Sequence, residues 1–410
     1  MNQFDIIVVG GGAAGFFGAI EAAASKPGLR ILIVEKSNKL LSKVKVSGGG
    51  RCNVTHHCFD PIELAHHYPR GEKKLKDLFK RFQAKDVVEW FSTKGVNLKT
   101  EPDGRMFPET DSSQTIINCF LDQAAKNKIK IELGLTVKQI VCDSDHLVVH
   151  CANDVSFTTR KILVATGGNP KADAYTWLTL LGHNLITPIP SLFTFNDQNK
   201  HYVDLMGLSV PHAEVKIATT KFTQRGPLLI THWGLSGPAV IKLSAWAATY
   251  LHQVNYEFTV LVSWIGPQEE EALRNTLFDY KTNHPRQKIV SNPLFNLPQR
   301  LWQKLCTLAL IENQKTWDEL SLKSLNRLIE FLIRAPFQIK GKTTFKEEFV
   351  TCGGIDLQDV NMTTLESKKV KNVFFAGEVL NIDGETGGFN FQAAWTTAFI
   401  AATEMTKDFD

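Results

Sequence analysis

The residues best suited to chemistry at the start of the chain form a glycine-rich turn, GGGAAG at positions 10–15. The turn satisfies GxGxxG and lies between an apolar run and an alanine-rich run, which predict a strand and a helix. In this pattern Gly10 permits the tight turn, Gly12 leaves room for a pyrophosphate, and Gly15 lets the helix pack closely on the strand. The amides at the start of the helix and its dipole favour phosphate charge. The motif predicts dinucleotide binding, with a tight turn that holds no ligand as the alternative.

An acidic residue stands at the end of the second predicted strand. Glu35 follows Gly15 by 20 residues, a spacing at which a carboxylate accepts hydrogen bonds from ribose hydroxyls. Its charge would also repel a 2′-phosphate. Strand, glycine turn, helix and Glu35 together favour dinucleotide binding over an empty turn.

A second group of residues lies near the C-terminus. One strand ends in Gly377-Glu378, and a Gly387-Gly388 turn opens the last predicted helix. This arrangement suits the far end of an extended cofactor. In a flavin dinucleotide, Asp383, which lies between the strand and the turn, can form a hydrogen bond with a ribityl hydroxyl. Backbone amides near Phe389 and Asn390 can stabilise negative charge at flavin N1/O2, helped by the helix dipole. A β-turn followed by a helix cap is the alternative.

A third group is the loop SGGGRCN at positions 47–53. Its three glycines suit a chain that passes close to a flat ring or a phosphate. Arg51 can contact an anion through two hydrogen bonds or polarise a substrate carbonyl. Cys52 has no partner thiol nearby in sequence, so an inert, packed thiol is favoured over a redox relay.

One histidine is a candidate acid or base. His232 lies in the turn-rich segment THWGLSGP at positions 231–238. Histidine titrates near neutral pH and suits proton transfer at a substrate pocket. A histidine satisfied within a loop is the slightly favoured interpretation.

The elements that must position these residues alternate between strands and helices. They are predicted as a strand at 4–9, a helix at 13–24, a strand at 31–34, a helix at 113–126, a strand at 129–133, three short strands at 136–141, 147–151 and 155–159, and a buried strand at 162–165. The three short strands, joined by polar turns at 143–145 and 153–154, predict an antiparallel meander. A meander followed by a strand that ends in Ala165-Thr166-Gly167-Gly168 is typical of FAD domains of the glutathione-reductase type.

The rest of the chain predicts an insertion. Prolines punctuate short strand-like pieces after residue 188, and the periodicity then becomes helical. We therefore predict an α/β protein with a glutathione-reductase-type, Rossmann-like FAD-binding domain that combines a parallel sheet with an antiparallel β-meander. The expected boundaries are 1–187 and 346–410 for this domain, 188–267 and 334–345 for an inserted β-rich subdomain, and 268–333 for a small helical subdomain.

Composition narrows the class of protein. The 410 residues carry a net charge of +4, too little alone to imply a nucleic-acid partner. No apolar run reaches the roughly 20 residues of a membrane span, and no secretory signal precedes the first strand. The seven cysteines are scattered without a CxxC pair, which argues against a disulfide framework or a zinc site. We expect a cytoplasmic protein with reduced thiols, no metal and no membrane partner.

Positive charge is concentrated on one predicted helix, residues 73–82. Its apolar residues recur at i, i+3, i+4 and i+7 from Leu75 and predict a buried stripe. The lysines and Arg81 then lie on the outer face, with Arg70 nearby. A solvated helix face is the favoured interpretation, and a surface that contacts RNA phosphates is the alternative.

Together these motifs resemble the bacterial NAD(P)/FAD-dependent oxidoreductases of the BaiN/YhiN type, which include aminoacetone-oxidase-like flavoproteins. The resemblance covers nearly the whole chain and rests also on GRMFP at 104–108 and TCGG at 351–354. It implies FAD lying extended across the first domain. The expected cofactor-binding residues are Gly10, Gly12, Ala13, Ala14, Gly15, Glu35, Lys36, Lys43, Ser47, Gly48, Gly49, Arg51, Cys52, Asn53, Val137, Ala165, Thr166, Gly167, Gly168, Gly377, Glu378, Asp383, Gly388, Phe389 and Asn390.

The resemblance implies an FAD-dependent oxidoreductase that transfers a hydride through flavin N5. The expected substrate is a small molecule, either an amine or an activated double bond. The alternative is uridine in ribosomal RNA, reduced to dihydrouridine. The chain holds a single GxGxxG, so NAD(P)H would dock transiently as electron donor, or oxygen would accept electrons. Arg51 and His232 are the candidate catalytic residues, and a flavin-binding sensor without catalysis is the least favoured interpretation.

Overall fold

The computed structural model describes residues 3–143, 146–343 and 350–409. Residues 144 and 145 of the predicted polar turn lie outside this part of the chain. The described residues form two compact units, one from those within the ranges 1–191 and 345–410 and the other from those within the range 192–344.

Strands and helices are numbered in chain order. The strands are β1 (Gln3–Val9), β2 (Ile31–Val34), β3 (Thr55–His56), β4 (Leu98–Thr100), β5 (Arg105–Pro108), β6 (Lys130–Glu132), β7 (Val137–Asp143), β8 (His146–Cys151), β9 (Ser156–Val164), β10 (Leu185–Ser191), β11 (Thr194–Asp197), β12 (Ser209–Ile217), β13 (Thr223–Ile230), β14 (Gly234–Ser236), β15 (Glu257–Ser263), β16 (Ala335–Thr343), β17 (Val350–Ile355), β18 (Val360–Asn361), β19 (Glu366–Ser367) and β20 (Val373–Phe375). The α-helices are α1 (Ala13–Ser25), α2 (Ser42–Gly50), α3 (Pro61–Ala65), α4 (Glu72–Phe79), α5 (Ala84–Ser92), α6 (Ser113–Lys126), α7 (Thr176–Thr179), α8 (Pro238–Trp246), α9 (Ala248–Gln253), α10 (Glu270–Asn283), α11 (Gln299–Leu308), α12 (Leu322–Ile333) and α13 (Phe389–Thr406).

The main sheet of the first unit is parallel at its centre. Its strand order is β18-β19-β20-β9-β1-β2-β6, and β1 pairs in parallel with both β2 and β9. Every residue of β2 and the run from Ile6 to Val9 in β1 are buried, as expected for strands covered on both faces. The predicted Rossmann-like parallel sheet is confirmed.

The antiparallel meander is confirmed as well, with one difference at its third strand. β7 pairs antiparallel with β8, and β8 pairs antiparallel with β9. The sequence suggested separate segments at 155–159 and 162–165, but all of their residues except 155 and 165 belong to the continuous strand β9. No turn-forming residue lies between them, so the first half of β9 continues the meander while the strand also pairs in parallel with β1.

Two helices cover one part of this sheet and build the aromatic core of the first unit. A Cβ on Gly18 of α1 would lie 2.5 Å from Leu163 Cδ2 and 3.6 Å from the Cβ of Ala398 in α13. The rings of Phe17 and Trp395 lie 5.4 Å apart, and both side chains are fully buried. Small residues on α1 and α13 therefore bring the helices close to the strands that carry the glycine turns.

The second unit combines a closed barrel with helices. The barrel order is β11-β14-β13-β12-β15-β16, and Val215, Ile217 and Val260 are among its buried residues. The helices α10, α11 and α12 belong to the same compact unit, where Trp302 is fully buried and donates to the carbonyl of Ile289 at 2.8 Å. Among the helices of the described ranges, none has the length and apolarity that a membrane span requires.

Candidate functional site

A cavity of about 380 Å³ lies in the first unit, where β1, β2 and β9 end. Ligands of open α/β sheets bind at this carboxyl edge of the strands. The cavity brings together six of the predicted cofactor-binding residues: Gly10, Glu35, Lys36, Val137, Thr166 and Gly167.

The three motif glycines next to this cavity have different surroundings. A Cβ on Gly10, which has φ +117°, would lie 2.3 Å from the carbonyl oxygen of Ala165. A Cβ on Gly15 would lie 1.9 Å from the carbonyl oxygen of Gly10, so Gly15 is required by close helix–strand packing. A Cβ on Gly12 would meet nothing within 4 Å. Gly12 alone of the three faces open space, which a pyrophosphate group fits.

The start of α1 suits an anion. Gly12 is the N-cap, no side chain of the described residues caps the helix, and its first turn has no acidic residue. The amides of Ala13 and Ala14 belong to the first turn, where N–H groups lack intrahelical partners. The open space, the uncapped amides and the cavity all fit a dinucleotide such as FAD.

Glu35 is fixed by the turn it faces. One carboxylate oxygen accepts from the Gly11 amide at 2.8 Å, and the other accepts from the Ser37 amide at 2.8 Å. Each oxygen keeps further acceptor capacity for a ribose hydroxyl. Lys36, the next residue, is exposed.

Sequence reasoning missed two aromatic residues that follow the turn at Gly167-Gly168. Tyr175 and Trp177 line the cavity, and the Tyr175 hydroxyl accepts from the Asn169 amide at 2.8 Å. Burial raises the pKa of Tyr175 to about 12. The only local signal is an aromatic pair shortly after Gly167-Gly168, and folding alone brings it to the cavity.

The carboxylate of Glu378 joins residues from distant parts of the first unit. Lys43 donates to Glu378 at 2.6 Å, and the other oxygen of Glu378 accepts from the Thr351 amide at 2.7 Å. A Cβ on Gly168 would lie 2.5 Å from both the Glu378 carboxylate and the Thr351 hydroxyl. That hydroxyl is buried and has no hydrogen-bond partner within the described part of the chain, so it is available to a polar ligand.

The loop at 47–53 is shaped by left-handed glycines. α2 loses helical geometry at Ser47, and Gly48 and Gly49 have φ +59° and +69°. Cys52 is fully buried, and burial raises its pKa to about 12, which fits the predicted packed thiol. Arg51 stays a candidate catalytic residue, but its guanidinium is already engaged, since it donates to Glu101 at 2.6 Å and lies 4.0 Å from the centre of the Phe107 ring.

The C-terminal glycine pair is held by this same region. With its side-chain amide oriented to satisfy both partners, Asn53 donates to the Thr55 carbonyl and accepts from the Gly388 amide, each at 3.0 Å. Gly388 has φ +94° and is the N-cap of α13, which no side chain among the described residues caps. Asn390 accepts from the Gly384 amide and donates to the Gly384 carbonyl, both at 2.9 Å. The structure thus brings predicted flavin-side residues together at a helix N-terminus.

Asp383 is buried in an ion pair. Its side chain is 0% exposed, and it accepts from Arg70 Nε at 2.6 Å and from the Ser191 hydroxyl at 2.9 Å. The assignment of Arg70 to an RNA-contacting surface is wrong, because its side chain is 15% exposed and is committed to Asp383. Its contact to a residue 313 positions away left no local sign in the sequence.

The predicted basic helix forms as α4 with its buried stripe, but it ends at Phe79 instead of residue 82. Leu75 and Phe79 of α4 are fully buried, and Lys73 and Lys74 are exposed. Lys80, the residue directly after α4, pairs with Asp77 of the helix at 2.8 Å. The outer face is therefore less uniformly positive than the sequence suggests.

His232 belongs to the second unit. It lines a void of about 10 Å³ with Asp197 and Tyr202, and its ring lies 4.4 Å from that of Trp233. The Trp233 indole donates to the Thr194 hydroxyl at 3.0 Å. A catalytic role for His232 stays a prediction.

The chain is similar to known proteins along its whole length. The sequence profile of the HI0933-like protein Rossmann domain family matches residues 4–404. The chain is 29% identical to a ribosomal RNA dihydrouridine synthase of Escherichia coli, over 99% of this chain and 98% of that protein. It is 24% identical to a 3-dehydro-bile acid delta(4,6)-reductase of Clostridium scindens, over 98% of each protein. It also shares a fold with 3-ketosteroid delta1-dehydrogenase from Sterolibacterium denitrificans, at a TM-score of 0.53 and 13% identity, with 100% of both chains covered.

Proposed function

Because this chain belongs to the HI0933-like Rossmann family and is an FAD-dependent oxidoreductase, we propose that it reduces a carbon–carbon double bond conjugated to a carbonyl group. The names of two relatives support this reaction class. Dihydrouridine arises when two hydrogens add across the C5–C6 bond of uracil, which is conjugated to a carbonyl. The delta(4,6) double bonds of a 3-dehydro bile acid extend from a ketone in the same way.

The cavity at the carboxyl edge of the sheet supports the cofactor side of the proposal. The adenosine half of FAD would lie against Glu35, Lys36 and Val137, with the pyrophosphate at Gly12. The flavin half would lie against the loop at 47–53 and the residues that begin α13. This placement uses the open space and both uncapped helix starts at once.

When bound and reduced, FAD supplies a hydride from N5. The chain's own residues bind and orient the cofactor. The amides at the start of α1 would hold the phosphates, and the first amides of α13 would favour negative charge on the pyrimidine edge of the ring. We propose a nicotinamide dinucleotide as the electron donor, docking transiently.

Anaerobic stopped-flow absorbance of the FAD-loaded protein tests the reaction class. Photoreduced protein is mixed with an α,β-unsaturated ketone or with a uridine-containing fragment of ribosomal RNA, and oxidised protein is mixed with small primary amines. We expect reoxidation by a conjugated double bond and no reduction by amines. Photoreduced protein that reacts with neither acceptor would contradict the proposal, and reduction of the oxidised protein by an amine would point to amine oxidation instead.

A second candidate narrows the substrate to uridine in ribosomal RNA. It is favoured by the exposed Lys73 and Lys74 on α4 and by the relative named for that reaction. If RNA is the substrate, reversing the charge of Lys73, Lys74, Lys76 and Lys80 should weaken RNA binding. The slope of the logarithm of the binding constant against the logarithm of the salt concentration should also become shallower by about one unit for each lost phosphate contact. Reversal of the exposed Lys323 on α12 is the matched control, and RNA binding that is equal in both variants would exclude this candidate.

A further inference from the structure

A histidine–carboxylate pair joins the segment after α3 to the loop that precedes α13. His67 Nδ1 lies 3.3 Å from a carboxylate oxygen of Glu385, and the Glu385 amide donates to the His67 carbonyl at 3.0 Å. The Glu385 side chain is 7% exposed and that of His67 is 33% exposed. A buried acceptor therefore holds an imidazole that solvent still reaches.

The pair is held firmly by its neighbours. The His67 ring stacks on Phe389 with centres 4.1 Å apart and planes 14° from parallel. The Tyr68 hydroxyl donates to the Phe389 carbonyl at 2.6 Å, and Arg70 pairs with Asp383. The contacts of His67, Tyr68 and Arg70 thus fix the segment 67–70 against the loop 383–389.

The position of the pair is the reason to assign it chemistry. Phe389 is the first residue of α13, directly after Gly388, where the flavin ring is placed in the proposed function. Two titratable side chains face the His67 ring: Glu385, and His56 with its ring centre 6.0 Å away. An ionised carboxylate only accepts, so a hydrogen bond to ionised Glu385 requires a proton on Nδ1, and Nε2 is the ring nitrogen that remains for proton exchange.

We propose that His67 is the proton donor in the reduction and that Glu385 is its positioning residue, an inference that rests on the proposed function. The hydride from reduced flavin N5 forms a C–H bond at the carbon β to the carbonyl. The π electron pair moves to the α carbon, which takes the proton from Nε2 of the imidazolium. His67 is left neutral and regains a proton from water, and the flavin, oxidised by two electrons, is reduced again by the nicotinamide donor.

The test uses FAD-loaded His67→Gln and Glu385→Gln, with His66→Gln as the matched control. His66 is the adjacent histidine and also pairs with a carboxylate, Glu72, at 2.8 Å, but this pair is exposed. Photoreduced protein is mixed with an unsaturated ketone and, separately, with ferricyanide, which takes electrons without protonation of carbon. His67→Gln should lower the ketone rate by about 10²- to 10⁴-fold. Glu385→Gln should lower it less, the control should not change it, and ferricyanide should react equally with all.

A structural readout separates this inference from the proposed function. In protein labelled with ¹⁵N-histidine, we expect an exchange-protected Nδ1 proton that disappears in His67→Gln and loses protection in Glu385→Gln. Wild-type protein that reduces neither ketone nor uridine would overturn the proposed function and the donor assignment with it. A His67→Gln variant that matches wild type with the ketone, or that loses flavin or the ferricyanide reaction, would overturn the donor assignment alone.

Discussion

A side chain added at Gly12 tests the pyrophosphate cradle without disturbing the protein around it. Gly12 has φ −96° and ψ −167°, an extended conformation that any residue adopts, and its Cβ would meet nothing within 4 Å. Gly12→Val should therefore leave the unfolding free energy of the FAD-free protein within about 0.5 kcal/mol of wild type, as for a surface substitution. The same side chain occupies the space assigned to the pyrophosphate, so FAD binding should be abolished.

Gly15→Ala is the matched control, because its added methyl group meets the protein instead of the ligand. The new Cβ would lie 1.9 Å from the Gly10 carbonyl oxygen, a backbone atom that moves only with the turn. The FAD-free Gly15→Ala protein should lose about 1–3 kcal/mol of unfolding free energy through overpacking.

Urea unfolding with and without FAD measures both effects. At a free FAD concentration of 100 times its Kd, wild type should gain about 2.7 kcal/mol, since FAD binds only the folded chain. Gly12→Val should gain nothing, while its FAD-free stability stays that of wild type. A Gly12→Val protein that gains as much from FAD as wild type would refute the placement of the pyrophosphate.

Two further predictions concern buried groups of the first unit. Burial raises the pKa of Cys52 to about 12. Iodoacetamide at pH 8 should therefore modify the exposed Cys142 and spare Cys52, which mass spectrometry would measure. Equal modification of the two thiols would contradict the burial of Cys52. This folded-state pKa lies above the ordinary value of 9.0. The thiol's contribution to the free energy of unfolding is therefore fully present below about pH 9 and is lost as the pH rises towards about 12. Arg70→Met should lower the free energy of unfolding in urea by about 3–5 kcal/mol, because it leaves the buried Asp383 carboxylate unpaired. Combining it with Asp383→Asn should recover part of this loss. If the effects of the two substitutions are additive, Arg70 and Asp383 do not stabilise each other.

The sequence predicts the parts of the site that depend on short segments. The turn at 10–15 needs only its own glycines, a preceding apolar strand and a following helix, so its conformation and the role of Gly15 were predictable. The meander was predictable from alternation and polar turns. The continuity of β9 was missed because two different burial patterns share one strand.

The contacts that the sequence does not predict join residues far apart in the chain. Arg70 and Asp383 are 313 positions apart, and His67 and Glu385 are 318 apart. An arginine near a basic helix has the same local pattern whether it faces solvent or a buried carboxylate, and only the folded loop before α13 distinguishes the two cases. Exposed and internal charges therefore had to be assigned from the structure.

A crystal structure of the protein with FAD bound is the decisive test of where the cofactor lies. We expect pyrophosphate oxygens within hydrogen-bond distance of the amides at the start of α1, adenosine in the cavity beside Glu35, and the flavin ring beside Gly388. Electron density that places FAD elsewhere, or a purified protein that stays colourless in excess FAD, would show that the proposed cradle is wrong.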